Sequence, residues 1–573
     1  MKKIVGIILC LVVVGSAGAY LMMQKKGAAA GLYARYLPQD TVATLSITHL
    51  NTITDTFAAT ALGRFVAKDT MQAIMKEIRV EQKNRAEYDQ MYDTIARIMN
   101  NPAFRTVFGD DATIAVLSPD QQVLAQDPVN ALRASLVVVA MTPASGALDL
   151  FSRLVTSNTV TKETIEGLQM TKIMIDPKQT VYGYADGQAV LLAYGPAAIK
   201  TCMAARKSEN RLDTAAAFKE AATFWRPYPV EKTYSRFFLN TARLSELMAT
   251  SKNAEVKQSR ELLQGVDSMY SLTFATDRGL ESRGRSKYRY DQLHPMVKSA
   301  VDSASTANQS LHLLQEQSLA YSWASSLRVK MTMNSLSPQK QGMNQAETAV
   351  RETFGVSLDE LDRAVGPQYG GVLNDIVNTG LFPVPKMTFF LGIRDRKIAE
   401  TALNGLRRKI TGYGLANEEQ EVVAGSTIYS WPVLPGDAAQ PAMVLTDSMF
   451  YLASGKQPLK DILTGKAATN VMAAPVAEKL GPELSARVGR ANFNSLIIYP
   501  ERMASKTGDT LDWLAGILAT TKNISISRLS QEWRQLMQST ELIAITTDLS
   551  KDQADWIMTL KTVSTPPSRK TAQ

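Results

Sequence analysis

Residues 181–203 read VYGYADGQAVLLAYGPAAIKTCM. Two apolar runs flank Asp186-Gly187, a pair that closes tight hairpins because glycine tolerates the positive φ such turns need. Gly195-Pro196 then opens a helix, where proline costs no hydrogen bond in the first turn. The same pattern returns at residues 442–463, AMVLTDSMFYLASGKQPLKDIL, with Asp447-Ser448 at the turn. Leu452-Ala453-x-Gly455 there echoes Leu192-Ala193-x-Gly195. A repeat this far apart implies a duplicated body on which the rest of the chain can be aligned.

Working outward, Leu327 falls opposite Leu50, Gly366 opposite Gly109, and Phe389-Phe390-Leu391 opposite Val137-Val138-Val139. Leu406 falls opposite Leu154, residues 496–498 opposite the strand at Phe237, and residues 545–548 opposite 274–277. The offset drifts, as loop insertions make it do. Strand-like runs such as TVATLSIT (41–48) and LVVVAM (136–141) often follow one another directly, which favours antiparallel pairing. Helical periodicity marks Met71, Ile74, Met75 and Ile78, and again Tyr88, Met91, Tyr92, Ile95 and Met99, as core-facing stripes; another helix is expected over 147–155. The expected fold is α+β: two similar halves, each an antiparallel-rich sheet with amphipathic helices, preceded by one N-terminal transmembrane helix. The expected divisions are 1–26, membrane anchor or signal segment; 27–36, tether; 37–290, first copy; 291–311, polar connector; 312–563, second copy; and 564–573, disordered tail.

The chain has 573 residues, 45% hydrophobic and 20% charged, with a net charge of +9. That is room for two or three domains with sizeable cores and only a mild basic bias. No long basic block is interleaved with aromatics, so nucleic acid is not an expected partner. Of the two cysteines, Cys10 lies in the N-terminal apolar run, and Cys202 is alone in the body on the apolar side of a helix. This excludes an intramolecular disulfide in the body and a Cys-rich metal site, and Cys202 reads as a buried hydrophobe. His49, His294 and His312 have no ligand spacing, and neither a metal nor a cofactor is expected.

Residues 4–23, from Ile4 to Met23, carry no charge and are flanked by Lys2-Lys3 and Lys25-Lys26. As a helix they measure about 30 Å, the thickness of a bilayer core. The reading is an uncleaved anchor, with a signal peptide cut near Ala17-Gly18-Ala19 as the alternative. The expected address is the inner membrane, single-pass, with the body in the periplasm or another extracytoplasmic space. The membrane, met through Ile4 to Met23, and other envelope proteins are the expected partners.

Three motifs anchor a family resemblance: Leu37-Pro38-x-Asp40-Thr41 before a strand, Thr60-x-Leu62-Gly63 before a helix, and the Tyr184–Lys200 hairpin and helix followed by Ala217-Phe218. With them the chain resembles an uncharacterised family of bacterial envelope proteins, a domain of unknown function. The resemblance implies a location and a fold type, and no catalytic residues.

One constellation hints at chemistry. Ser337-x-x-Lys340 and Lys506-Thr507-Gly508 are similar to elements of penicillin-binding proteins, in which the lysine activates the serine. Pro338 disfavours a helix at Ser337, and Lys506-Thr507-Gly508 precedes a helical run rather than lying on a strand. Asp110-Asp111 after Gly109 reads as a solvated turn, and RGRSKYRY (283–290) as a solvated strand end, with a basic binding strip as the sharper reading. The leading expectation is a membrane-anchored, exported, non-catalytic binding or scaffold protein. The alternatives are a serine hydrolase using Ser337 and Lys340, or a carrier of lipid or another small ligand.

Overall fold

The computed structural model describes residues 31–563 except 142–159, 177–178, 252, 304–306, 331–332, 334–339, 380–382, 415, 434–438 and 466–469. Two compact units divide the chain, residues 1–294 and 295–573.

The strands of the first unit are β1 (Ala43–Thr48), β2 (Asp111–Val116), β3 (Leu136–Met141), β4 (Val160–Ile165), β5 (Leu168–Asp176), β6 (Gln179–Asp186), β7 (Ala189–Ala193), β8 (Thr233–Asn240), β9 (Val266–Thr276) and β10 (Gly279–Tyr288). They pair in the order β4-β5-β6-β7-β3-β2-β1-β8-β9-β10. The second unit holds β11 (Ala320–Ala324), β12 (Val365–Asn378), β13 (Pro383–Ile393), β14 (Glu419–Val423), β15 (Ser426–Ser430), β16 (Ala442–Leu445), β17 (Met449–Ala453), β18 (Asn494–Ile498), β19 (Thr540–Leu549) and β20 (Gln553–Thr562). Their order is β14-β15-β16-β17-β13-β12-β11-β18-β19-β20. Each strand of one unit occupies the same place as the strand ten later in the other.

The two turns in the opening stretches form as their chemistry dictates. Asp186 pairs with Ala189, and Gly187 takes φ 60° between them. In the second unit Leu445 pairs with Phe450, and the longer turn is closed by Thr446 N donating to Met449 O at 2.8 Å. The hydroxyl of Thr446 also accepts from Met449 N, at 3.1 Å.

Six helices frame the cores and the surfaces described below. In α1 (Ala61–Phe65), Thr60 caps the first turn by accepting from Gly63 N at 2.8 Å. A Cβ on Gly63 would lie 1.8 Å from the Phe57 carbonyl oxygen, so the cap and the glycine belong to one tight turn. Then come α2 (Pro196–Lys207), α3 (Ala216–Trp225), α4 (Lys456–Thr464), α5 (Pro500–Lys522) and α6 (Ser527–Gln538). Ala215 stands at the N-terminal cap of α3, and nearby Asp213 accepts from Arg211 Nε at 3.0 Å. The first core gathers Leu191, Ile199, Phe218, Phe238 and Leu272, with the Phe218 ring edge-on to Phe238 and Trp225. The second gathers Tyr321, Trp323, Val372, Tyr451, Leu459 and Ile497.

Cys202 is fully buried on α2, and burial pushes its thiol up to about 12. A thiolate is therefore scarce at neutral pH, and access is closed. In the folded protein Cys202 should resist a bulky maleimide and react on denaturation; fast native labelling would contradict this packing.

Several expectations are corrected. The fold class anticipated antiparallel-rich sheets behind an N-terminal transmembrane helix. All twenty strands pair antiparallel throughout, and no helix among the described residues is long and apolar enough to cross a membrane. The single-pass inner-membrane address is corrected by the same finding. The 23-residue α5 is long enough, but Glu501, Arg502, Lys506, Asp509, Asp512 and Lys522 interrupt it. Residues 4–23 lie outside the described residues, as does the helix expected over 147–155.

Residues 32–36, placed in a tether, form a 3-10 helix that buries Tyr33 and Tyr36 in the first core. Much of the polar connector 291–311 is packed: it contains a helix, Pro295–Ser303, and buries Asn308, Ser310 and Leu311. Its polarity has a local use, because Asn308 and Ser310 hydrogen-bond the buried Tyr321 hydroxyl at 2.8 and 2.9 Å. The helix Gln82–Met99 leaves Met91 and Ile95 exposed, so its apolar stripe is not wholly core.

Candidate functional site

The second unit carries a cleft of about 470 Å³, within the range of small-ligand sites. Its floor is Leu313, Val372 and Thr388, all buried. One wall is a β-bulge. Leu373 pairs with Met387 and Asp375 with Lys386, which leaves Asn374 as the extra residue on β12. The bulge turns polar side chains where an unbroken ladder would alternate. Asn374 Oδ1 accepts from Ser318 Oγ at 2.7 Å, and Asp375 meets Lys506 of α5 at 3.0 Å.

The opposite wall is the start of α4. Ser454 follows β17, and its Oγ accepts from Met387 N at 3.1 Å, which fixes the chain as it enters the helix. Gln457 donates to Asp461 at 2.8 Å across one turn. Gln315 and Gln317 close the rim and bond each other at 2.5 Å.

Lys386 lines this cleft and has no ion-pair partner among the described residues, because the carboxylate opposite it in register, Asp375, is taken by Lys506. The cleft thus offers one ammonium without an ion-pair partner among the described residues, several amides that both donate and accept, and the carboxylates of Asp375 and Asp461. Nothing in the sequence singled out Lys386; the available signal was a lysine within the apolar run PVPKMTFFLGI (383–393).

The residues singled out for chemistry are described only in part. Ser337 lies outside the described residues, and Lys340 begins a helix, Lys340–Phe354. Lys506-Thr507-Gly508 sits inside α5, not on a strand, and Lys506 is paired with Asp375. Among the described residues no group of three or more His, Cys, Asp or Glu could hold a metal ion. The basic strip on β10 is engaged by its own neighbours. Arg283 pairs with Glu281 at 2.5 Å and lies over Tyr228 and Phe274, and Arg285 lies 5.3 Å over the Phe224 ring.

The expected solvated turn at Asp110-Asp111 is corrected at its second residue. Asp111 begins β2 and is 5% exposed; burial pushes its carboxyl up to about 6, against the pull of Arg236. Arg236 is itself buried in the middle of β8, and its Nε has no hydrogen-bond partner. The pair is a structural charge centre that sequence reading missed. Its signal was an arginine inside the strand TYSRFFLN (233–240).

Residues 107–560 match the family described as "Protein of unknown function (DUF3352)". The match covers well over half of the chain, which therefore belongs to that family, and the resemblance to an uncharacterised family holds. No curated protein matches the sequence. Among solved structures, crystal form IV of TP0453 is similar at 10% identity over 45% of this chain and 83% of that one, with a TM-score of 0.21. Crystal form III of TP0453 is similar at 11% identity over 46% and 81%, again with a TM-score of 0.21. Similarity at that level carries no argument about this chain.

Proposed function

We propose that the protein is a binding protein whose second unit takes a small polar ligand in the cleft between the β12 bulge and α4. The observation that carries this reading is Lys386, an ammonium with no ion-pair partner among the described residues, in a cleft that it shares with the amides of Gln315, Gln317, Asn374 and Gln457 and with two carboxylates already engaged, Asp375 by Lys506 and Asp461 by Gln457. An acidic group on the ligand meets Lys386, and hydroxyl or amide groups meet the four side-chain amides. The body is read as two copies of one ancestral unit, a reading supported by the matching order of strand pairing. The first unit then serves as a second copy with its own packing around Tyr33 and Tyr36.

Thermal unfolding with a panel of sugar acids and N-acetylated amino acids tests the proposal. A true ligand at a hundred times its Kd stabilises by about 2.7 kcal/mol, and Lys386→Met should remove that gain while leaving the unliganded melting temperature unchanged. Equal stabilisation of the wild type and Lys386→Met by every active compound would overturn it.

A further inference from the structure

The cleft of the second unit holds two opposite charges that its own side chains do not match. Lys386, on β13, has no ion-pair partner among the described residues. Asp461 lines the same cleft from α4. It accepts from the neutral Gln457 amide at 2.8 Å, and no cation pairs with it among the described residues. The lysines of its own helix are taken elsewhere: Lys456 pairs with Glu419 and Lys460 with Glu421, each at 2.7 Å. The remaining carboxylate of the wall, Asp375, is held by Lys506 at 3.0 Å.

The first unit shows the same place packed shut. Thr388 pairs with Ala453 as Val137 pairs with Ala193. Counted from those pairs, Lys386 stands where the first unit has Ser135, and Asp461 where it has Thr201. Both counterparts are neutral and bonded locally. Ser135 Oγ donates to Ala131 O at 2.8 Å, and Thr201 Oγ1 donates to Ala197 O at 3.0 Å. Gln457 and Thr388 likewise replace Ala197 and Val137. In the first unit residues 32–36 lie against α2 and β3, and Leu37, Val137 and Cys202 share one buried cluster. The charges and amides thus stand in the copy whose cleft is open, and their counterparts in the packed copy are small or apolar.

We propose that the ligand is a short peptide with free ends, its carboxylate on Lys386, its ammonium on Asp461 and its peptide groups on the amides between. This rests on the reading of the cleft as a ligand site and narrows it. Charge-assisted contacts are the strong ones in a polar site, so two unmatched opposite charges select a ligand that carries both. The amides of Gln315, Gln317, Asn374 and Gln457 donate and accept, as peptide groups do. A sugar acid supplies the anion without the ammonium. A lone amino acid supplies both charges and leaves the amides unmatched.

Calorimetric titration of the full chain with trialanine, N-acetyl-trialanine and trialanine amide tests this. Trialanine presents the two ends and the peptide groups alone. It should bind, and each blocked form should bind about tenfold more weakly, the loss of one charge-assisted contact. The blocked forms probe both contacts on the wild type, with no variant needed. Asp461→Asn keeps an acceptor for Gln457; it should weaken trialanine about tenfold and leave N-acetyl-trialanine unchanged. Lys386→Met should weaken trialanine and leave the amide unchanged. Trialanine that fails to bind, or that binds no better than its N-acetyl form, overturns the inference. So does an Asp461→Asn variant that weakens both equally. Those failures are distinct from failure of the cleft itself: an acidic compound bound equally by wild type and Lys386→Met removes the ligand site, and this inference with it.

Discussion

Replacing Trp323 with alanine is expected to destabilise the second unit by about 3–5 kcal/mol, the cost of truncating a buried aromatic. Trp323 is fully buried near the end of β11, between β12 and β18. Its indole N–H donates to Gln368 Oε1 at 2.9 Å, and the same oxygen accepts from Gln309 N at 2.9 Å. Truncation opens a cavity and removes one of two donors from a buried amide. Gln368 also holds the segment leading into the Tyr321 network, so the damage spreads beyond the ring. Trp323→Phe retains most of the volume and loses the donor, and should cost about 1–3 kcal/mol. Urea unfolding of the full chain measures both; a loss below about 1 kcal/mol for alanine would show that the indole does not anchor this core. Next to it, Gly370 admits no side chain, since a Cβ would lie 2.0 Å from the Ser322 carbonyl oxygen.

The second large effect depends on pH. Arg236→Met is expected to cost roughly 1–2 kcal/mol at pH 7, because the buried Asp111 carboxyl, without the pull of Arg236, must take up a proton about one pH unit above its value of about 6. Asp111 has a folded-state value of about 6, above its ordinary 3.8. Folding therefore favours its protonated form. The stability tied to Asp111 is fully present below 3.8 and is lost as pH rises through about 6. Removing Arg236 raises the carboxyl further, so the deficit should grow as pH rises above about 6 and vanish as pH falls below it. Unfolding curves of wild type and Arg236→Met across that window test the sign; a deficit independent of pH would mean that Asp111 and Arg236 do not sense each other.

The hairpins were legible because their signals are local. Asp186-Gly187 and Thr60-x-x-Gly63 specify turns through residues a few positions apart. The matching pairing order of the two units could be anticipated only in outline, from apolar runs that recur with drifting offsets. Chemistry set by distant partners was not legible. Asp111 looks like half of a solvated turn until Arg236, on a strand more than a hundred residues later, is placed near it. Lys386 becomes distinctive only when Lys506, from α5, takes the carboxylate opposite it. The connector misled because its serines and asparagines resemble solvated linker, whereas Asn308 and Ser310 serve a buried tyrosine. The apolar stripe of the helix Gln82–Met99 misled in the opposite sense, since helical spacing marks a stripe without saying what covers it, and Met91 and Ile95 stay exposed.

The most direct measurement is native mass spectrometry of the full chain isolated from its own cells under non-denaturing conditions. Wild type should retain one small polar compound that denaturation releases, and Lys386→Met should fly at its bare mass. Bare protein in both samples, or the same compound retained by both, would contradict a ligand site at Lys386.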